Sequence, residues 1–102
     1  MTVIAGPDVH KLVVACDAGM GSSVMLASQL RRQLKSSEVT VEHTPVNLIP
    51  DDADLIVCHA ALLERARVSA PGKVVVGFQV FIGDPAITRL VNAIKAGGTV
   101  SD

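Results

Sequence analysis

A cysteine followed at once by a glycine- and serine-rich segment is the part of this sequence with the clearest chemical potential. The segment joins an apolar run to a stretch with helical periodicity, and it reads Cys16-Asp17-Ala18-Gly19-Met20-Gly21-Ser22-Ser23. A turn of this composition exposes successive backbone N–H groups, and the helix that follows carries about half a positive charge at its N-terminus. Both features stabilise a thiolate and a phosphate bound beside it. We therefore predict that Cys16 is a nucleophile that carries phosphate.

The glycines and serines after the cysteine suit the segment to phosphate binding. Gly19 and Gly21 tolerate positive φ and let the backbone approach a phosphate closely. Ser22 and Ser23 supply hydroxyl donors and a helix cap. We expect the backbone amides from Asp17 to Ser23 to bind the phosphate oxygens. Two interpretations of Asp17 stay open. Its side chain could tune the thiolate, orient the loop or repel a wrongly placed anion, or Asp17 could be an ordinary turn residue.

The spacing of this loop distinguishes it from two other phosphate-binding motifs. It is similar to the protein tyrosine phosphatase signature, in which cysteine, five further residues and arginine precede Ser or Thr, but Ser22 stands at the arginine position. A guanidinium binds phosphate through two hydrogen bonds and favours hydrolysis, so a hydroxyl in its place suits a carrier that must keep its phosphate. No Gly-Lys-Ser/Thr follows at the spacing of a nucleotide-binding P-loop. A small cysteine-dependent phosphatase or arsenate-reductase-like hydrolase is the alternative.

The eight residues from Cys16 to Ser23 resemble the phosphocysteine loop of the IIB components of the bacterial phosphoenolpyruvate-dependent sugar phosphotransferase system. The run CDAGMGSS in particular resembles the mannitol-type members. Two weaker features are also similar to that family, namely His59 followed by Leu62–Ala66, and Phe81 ahead of the final helix. The resemblance extends over roughly residues 11–96, although only the cysteine loop is specific.

The resemblance implies a relay of phosphate between proteins. Cys16 would accept a phosphoryl group from a phosphohistidine on the IIA protein or domain. It would pass the group to a sugar, mannitol or a related polyol, bound by the membrane permease IIC. Neither a metal nor an organic cofactor is implied. A regulatory module that senses phosphorylation without relaying it is a further alternative.

Composition narrows the classes of protein to consider. The chain has 102 residues, enough for one hydrophobic core, and a net charge of -1, which argues against a nucleic-acid partner. Two cysteines without metal-ligand spacing argue against a disulfide scaffold and a zinc ribbon. No apolar run approaches the roughly 20 residues of a membrane-spanning helix. We therefore expect a cytoplasmic protein without a membrane span of its own. The resemblance implies that it meets the inner face of the membrane transiently through IIC.

Alternation of apolar runs with helical patterns predicts an α/β fold. Predicted strands cover 12–15, 39–43, 55–58 and 73–76, and predicted helices begin at Ser22 or Ser23, at Ala60 and at Pro85. Strands that alternate with helices form parallel sheets through right-handed crossovers, with ligands at the carboxyl ends of the strands. We predict a three-layer α/β/α fold with a four-stranded parallel sheet of order 2-1-3-4 and a phosphate loop like that of the tyrosine phosphatases.

The pattern divides the chain into a short lead-in and one domain. Residues 1–10 lack periodicity and contain Gly6 and Pro7, so we predict a flexible N-terminal lead-in there. Residues 11–102 form the single predicted IIB domain. No internal repeat or low-complexity segment interrupts it.

Two residues that follow the predicted third strand bear on the same site. His59 should lie on the same sheet edge as Cys16, where it would contact the phosphate or a partner's histidine, or serve only as a structural loop residue. Cys58 should pack in the core. If its strand neighbours that of Cys16, the two thiols would lie within reach of a disulfide that locks the site.

Three other residues have competing interpretations. Asp84 before Pro85 matches a helix N-cap and first helical position, and this interpretation outweighs that of a phosphatase general acid. Met20 and Val24 would form part of a docking surface if they are exposed beside the phosphoryl site.

Overall fold

The computed structural model describes residues 3–16, 21–80 and 84–101. Within these residues, four parallel strands form the main sheet: β2 (Lys11–Cys16), β3 (Thr40–Pro45), β4 (Leu55–His59) and β5 (Val74–Phe78). The spatial order is β3-β2-β4-β5, and every neighbouring pair is parallel. Counted along these four strands the order is 2-1-3-4, so the predicted fold class and strand order are confirmed.

Side chains on the two faces of this sheet belong to two separate hydrophobic clusters, as alternation along a strand requires. On β2, Leu12 and Val14 belong to the larger cluster, whereas Val13 and Ala15 belong to the smaller one. The other central strand, β4, alternates in the same way. Because both faces are covered, the central strands are apolar at almost every position.

Helices cover both faces and make the fold three-layered. The larger cluster includes apolar residues of α1 (Gly21–Gln33) and α3 (Pro85–Ala96). The smaller cluster includes those of α2 (Leu63–Ser69), with a short 3-10 turn at Ala60–Leu62 leading into it. Among the described residues, helix α1 is the longest at 13 residues, and none is both long and apolar enough to cross a bilayer.

The two ends of α3 have the residues that their backbone conformations require. Asp84 is the N-cap, its carboxylate accepts a hydrogen bond from the amide of Ala86, and Pro85 occupies the first helical position. Gly97 ends the helix with φ of 74°, in the left-handed region that glycine adopts without strain. The predicted limits of this helix are therefore confirmed.

The structure differs from the expectation of a loose lead-in at residues 1–10. Val3–Ala5 forms strand β1, which pairs antiparallel with β6 (Thr99–Ser101). The next residue, Gly6, donates from its amide to the carbonyl of Gly98 at 2.6 Å. A pairing between the two ends of a chain leaves no local periodicity in either segment, and so the pattern of residues 1–10 alone did not indicate it.

Candidate functional site

The position of Cys16 follows from the end of β2. It is the last residue of that strand and lies in register with Pro45 of β3. Helix α1 begins at Gly21, shortly after the strand ends. Cys16 thus lies at the carboxyl edge of the sheet, between a strand end and the start of a helix, where parallel α/β folds bind their ligands.

The thiol of Cys16 is buried, although a phosphate carrier must be reached by its partners. The residue is 4% exposed, and its Sγ donates a hydrogen bond to the carbonyl oxygen of Thr44 at 3.5 Å. A phosphate carrier needs a sulfur that its partners can reach, and in this conformation the sulfur of Cys16 is buried. Since phosphoryl transfer needs an approach in line with the reacting bond, the sulfur must first turn away from Thr44.

The predicted phosphate cradle falls largely on residues outside those described. Asp17, Ala18, Gly19 and Met20 belong to that part of the chain, and the side chains of Gly21, Ser22 and Ser23 lie outside the described part as well. The backbone of the last three forms the first turn of α1, which agrees with the predicted start of a helix there. The cradle of amides and hydroxyls stays a prediction.

His59 lies on the same edge of the sheet as Cys16, as predicted. Cys58 pairs with Ala15, which places the following residue of β4 alongside the end of β2. The Nδ1 of His59 accepts a hydrogen bond from the amide of Ala61 at 3.1 Å. The ring also packs edge-on against Phe78, with centroids 5.9 Å apart. These contacts fix the ring at the edge, and its role toward a phosphate stays a prediction.

Cys58 lies on the other face of the sheet from Cys16, so the predicted disulfide is wrong. It is fully buried in the smaller cluster together with Ala15. Cys16 is the residue after Ala15, and its side chain therefore points to the opposite face. Both thiols are free. Burial raises the pKa of the Cys58 thiol to about 11, with Arg67 acting in the opposite direction. Cys58 is a core residue, as its first interpretation held.

The carboxylate of Asp84 is fully occupied by backbone donors. Its Oδ2 accepts from the amides of Gln79 and Val80 at 2.8 and 3.1 Å, and its Oδ1 accepts from Ala86 at 2.8 Å. These bonds lower the pKa of the carboxyl, those from Gln79 and Ala86 most. A general acid needs the opposite shift, because it must hold a proton near neutral pH. The structure thus supports the capping role.

Exposed apolar side chains surround the carboxyl edge, and only one of them was singled out from the sequence. Val24 and Met25 project from the first turns of α1, the latter 65% exposed. Leu48 is equally exposed in the 3-10 turn after β3, and Val80 is exposed shortly after β5. We call these four residues the apolar rim. Sequence pattern could not separate them from core residues, because their exposure depends on which strand ends meet.

No metal site occurs within residues 3–16, 21–80 and 84–101, since no cluster of three or more His, Cys, Asp or Glu side chains there could hold an ion. Thr44 is a residue at this edge that the sequence did not single out. Its carbonyl contacts the Cys16 thiol, and its side-chain oxygen is buried without a hydrogen-bond partner among the described residues. A threonine in a β-branched run carries no signal that would have distinguished it.

Known proteins similar to this chain agree with one another on the type of protein. The model of the family described as "PTS system, Lactose/Cellobiose specific IIB subunit" matches residues 11–93. A mannitol-specific EIICB component of the phosphotransferase system from Halalkalibacterium halodurans is 40% identical over 91 residues, covering 87% of this chain. The corresponding protein of Bacillus subtilis is 38% identical over 89 residues, covering 85% of this chain. The chain spans only 19% of the length of each of these relatives.

A solved structure is similar at a lower level. A flavodoxin-like domain from a Synechococcus species aligns with a TM-score of 0.45 at 18% identity, covering 89% of this chain and 76% of that domain. At these values the likeness adds nothing to the fold described above.

Proposed function

Because this chain belongs to the IIB family of the sugar phosphotransferase system, which its match over residues 11–93 establishes, we propose that Cys16 is the phosphorylated residue of a phosphoryl relay. The donor is a phosphohistidine of the IIA protein or domain, and the acceptor is a sugar bound by the IIC permease. The observation that carries the proposal is the place of Cys16 at the carboxyl end of β2, shortly before α1, in a chain of this family.

Each half of the relay is a substitution at phosphorus. In the first, the S–P bond to Cys16 forms as the N–P bond of the donor histidine breaks. The thiol proton, which points to the carbonyl of Thr44 in the resting protein, is lost to solvent, and the released imidazole takes one up. In the second, the sugar hydroxyl loses its proton and gains the phosphoryl group, and the sulfur leaves as a thiolate. The α1 N-terminus favours the anionic sulfur and the phosphate in both steps.

The apolar rim supports a role in which partner proteins contact the site. Donor and acceptor must both reach the same sulfur, so each contact has to be brief and of modest area. Apolar side chains that surround a reactive edge suit such docking. We place the protein in the cytoplasm, at the inner face of the membrane while it contacts IIC.

Mannitol or a related polyol is the sugar we propose. The family description names lactose and cellobiose, whereas the mannitol-specific relatives are 35 to 40% identical to this chain over most of its length. We follow the relatives, because their similarity to this chain is measured residue by residue over most of its length. The sugar itself is bound by IIC, so the choice is tested with IIC present.

The test is phosphoryl transfer in a reconstituted system. The protein is mixed with phosphoenolpyruvate, the general components of the system and IIA, and the added group is located by intact mass, peptide mapping and acid/base lability. We expect one phosphoryl group on Cys16, none in Cys16→Ala, and an unchanged level in the matched control Cys58→Ala. With IIC membranes, mannitol phosphate should form in preference to phosphorylated lactose or cellobiose. Sustained p-nitrophenyl phosphate hydrolysis that requires Cys16 would instead indicate a phosphatase.

A further inference from the structure

Cys16 and His59 are neighbours on one face of the main sheet. The register of β2 with β4 pairs Ala15 with Cys58, so the next residues of the two strands, Cys16 and His59, lie beside each other at the carboxyl edge. Ala15 and Cys58 both belong to the smaller cluster, and side chains alternate along a strand. The side chains of Cys16 and His59 therefore both point to the opposite face, which is that of the larger cluster.

The contact of His59 with Phe78 supports this placement independently. Phe78 is in register with His59 on β5, is buried, and belongs to the larger cluster. The two rings pack edge-on with centroids 5.9 Å apart, so the imidazole lies on that face as well. Helix α1, which begins shortly after Cys16, contributes apolar residues to the same cluster. The sulfur, the imidazole and α1 thus lie on the same side of the sheet.

In the resting protein the sulfur is held on the side of β2 away from His59. Strand β2 lies between β3 and β4, and the Cys16 thiol donates to the carbonyl of Thr44 on β3 at 3.5 Å. That hydrogen bond uses the thiol proton, which phosphorylation removes, so it no longer holds the sulfur beside β3. On the other side of Cys16, about 4.8 Å away at the spacing of neighbouring strands, is the end of β4 with His59.

The two nitrogens of the imidazole ring have different tasks. Nδ1 accepts the hydrogen bond from the amide of Ala61 at 3.1 Å, which makes His59 the N-cap of the 3-10 turn Ala60–Leu62. A contact with phosphate therefore falls to Nε2, and an imidazole that accepts at one nitrogen is able to donate from the other. Phosphate oxygens accept hydrogen bonds strongly because they are charged. His59 is also partly exposed, whereas Phe78 beside it is buried, so a group that enters the edge meets the imidazole.

On these grounds we propose that the Nε2 of His59 donates a hydrogen bond to the phosphoryl group of phospho-Cys16. The inference rests on the proposed function and adds to it a phosphate-binding residue outside the cysteine loop. In the resting protein the thiol bonds to Thr44 on one side of β2, and after transfer the phosphoryl group turns to His59 on the other side. His59 thus stabilises phospho-Cys16, while its Nδ1 continues to cap the turn after β4.

Two substitutions of His59 separate the tasks of its two nitrogens. In His59→Asn the short side chain keeps an acceptor near the position of Nδ1, as suits a capping residue, but lacks the reach of Nε2. In His59→Gln the longer side chain keeps a donor NH₂ near the position of Nε2 and loses the cap. Both variants lose the ring contact with Phe78. The control is His10→Asn, which alters an exposed residue just before β2, at the opposite edge of the sheet.

The experiment measures transfer and stability in parallel. The equilibrium constant for phosphoryl transfer from phosphorylated IIA is measured by intact mass, and the melting temperature is measured on each unphosphorylated variant. Since a hydrogen bond to a charged group corresponds to about a tenfold change or more, we expect His59→Asn to lower the constant about tenfold and His59→Gln to lower it less than about threefold. The melting temperature should fall more in His59→Gln than in His59→Asn, and His10→Asn should match the wild type in both measurements. Transfer and stability then rank the two variants in opposite orders, which a purely structural role of His59 does not produce.

The other outcomes overturn the inference in distinguishable ways. If His59→Asn transfers as well as the wild type, the imidazole does not bind the phosphoryl group, although the relay itself stands. If His59→Gln transfers no better than His59→Asn, a donor at the position of Nε2 is not what matters. If the wild type takes up no phosphate, the proposed function fails and this inference fails with it.

Discussion

The two cysteines of this chain show how neighbouring positions on one sheet give the same side chain different chemistry. Cys16 ends β2 at the carboxyl edge and donates to the carbonyl of Thr44, whereas Cys58 is fully buried on the opposite face. A nucleophile must reach its thiolate form and its partner, and burial opposes both. The structure therefore makes Cys58 a packing residue, and of the two thiols it is Cys16 that lies at the carboxyl edge, where we propose it reacts.

Cys58 should resist alkylation in the folded protein. Burial raises its pKa to about 11, so at pH 8 only about one thiol in a thousand is ionised, and that fraction is shielded from reagent. We expect Cys16→Ser protein to take up no iodoacetamide at pH 8 within hours, and one equivalent after unfolding in urea. Mass spectrometry measures both. Rapid labelling of the folded variant would contradict the burial of Cys58.

The carboxylate of Asp84 should contribute to stability through its three backbone bonds. In Asp84→Asn an amide NH₂ replaces one acceptor and faces backbone donors, so we expect a loss of about 1–3 kcal/mol in the free energy of unfolding. Urea denaturation measures it. The control, Asp51→Asn, alters an exposed residue and should change stability by less than about 0.5 kcal/mol.

The same carboxylate predicts a dependence on pH. Because hydrogen bonds lower the pKa of Asp84 below its ordinary value of 3.8, its contribution is complete above pH 3.8 and is lost as the pH falls through the folded-state pKa. The stability difference between wild type and Asp84→Asn should therefore be constant from pH 7 to about pH 5 and shrink in more acidic solution. A difference that persists unchanged at pH 2 would mean that the charge of Asp84 is irrelevant.

At the scale of elements, the contact between the N-terminal segment and the end of α3 depends on a glycine. A Cβ on Gly6 would lie 2.6 Å from the carbonyl oxygen of Ala93 and 3.0 Å from the Cα of Ile94, both backbone atoms that cannot rotate away. A Cβ on Gly98 would meet Ala93 only at ordinary distances of 3.7 Å and more. The backbone of β1 and of the turn after it can therefore approach α3 only because residue 6 has no side chain.

Gly6→Ala should consequently destabilise the protein, while Gly98→Ala should not. We expect Gly6→Ala to lose about 1–3 kcal/mol in the free energy of unfolding, the usual cost of forcing extra volume into a packed contact. Gly98→Ala is the matched control, with an expected change below about 0.5 kcal/mol. Urea denaturation of both variants provides the measurement, and equal stabilities would show that the close approach of Gly6 is not required.

At the scale of the whole molecule, the buried faces of the main sheet and the exposed apolar rim are different parts of the structure. Both faces are buried under helices, and at the amino edge Lys11 forms salt bridges with Glu42 and Asp52 at 2.7 and 3.0 Å. The apolar rim lies at the other edge, where Cys16 is. Substitutions on the rim should therefore affect partner contact without affecting the fold.

Polar substitution of the rim should slow transfer from IIA. We expect Met25→Ser and Leu48→Ser each to raise the KM for phosphorylated IIA several-fold, with kcat and melting temperature little changed, because each side chain is 65% exposed. Val68→Ser is the control. Val68 is 81% exposed but lies near the far end of α2, away from the carboxyl edge. Equal effects of all three substitutions would argue against docking at the rim.

Much of the fold was predictable because its determinants are local. Apolar runs at 12–15 and 55–58, the cap at Asp84 and the stop at Gly97 indicated their elements directly, and alternation of strands with helices then fixed parallel pairing through the handedness of the crossover. The strand order 2-1-3-4, which we expected from the α/β pattern and which the family resemblance also implies, is confirmed. The Cys16 loop and its place at a strand end were visible for the same reason, since they lie in one continuous stretch.

What only the tertiary structure decided are the relations between segments distant in the chain. Four such relations depend on register and packing. They are the pairing of β1 with β6, the opposite faces of Cys16 and Cys58, the hydrogen bond from the Cys16 thiol to Thr44, and the exposure of the apolar rim. A residue type and its near neighbours determine which chemistry a side chain can perform. Its face, burial and partners are set by strands that are adjacent in space and far apart in sequence, and no local pattern records them.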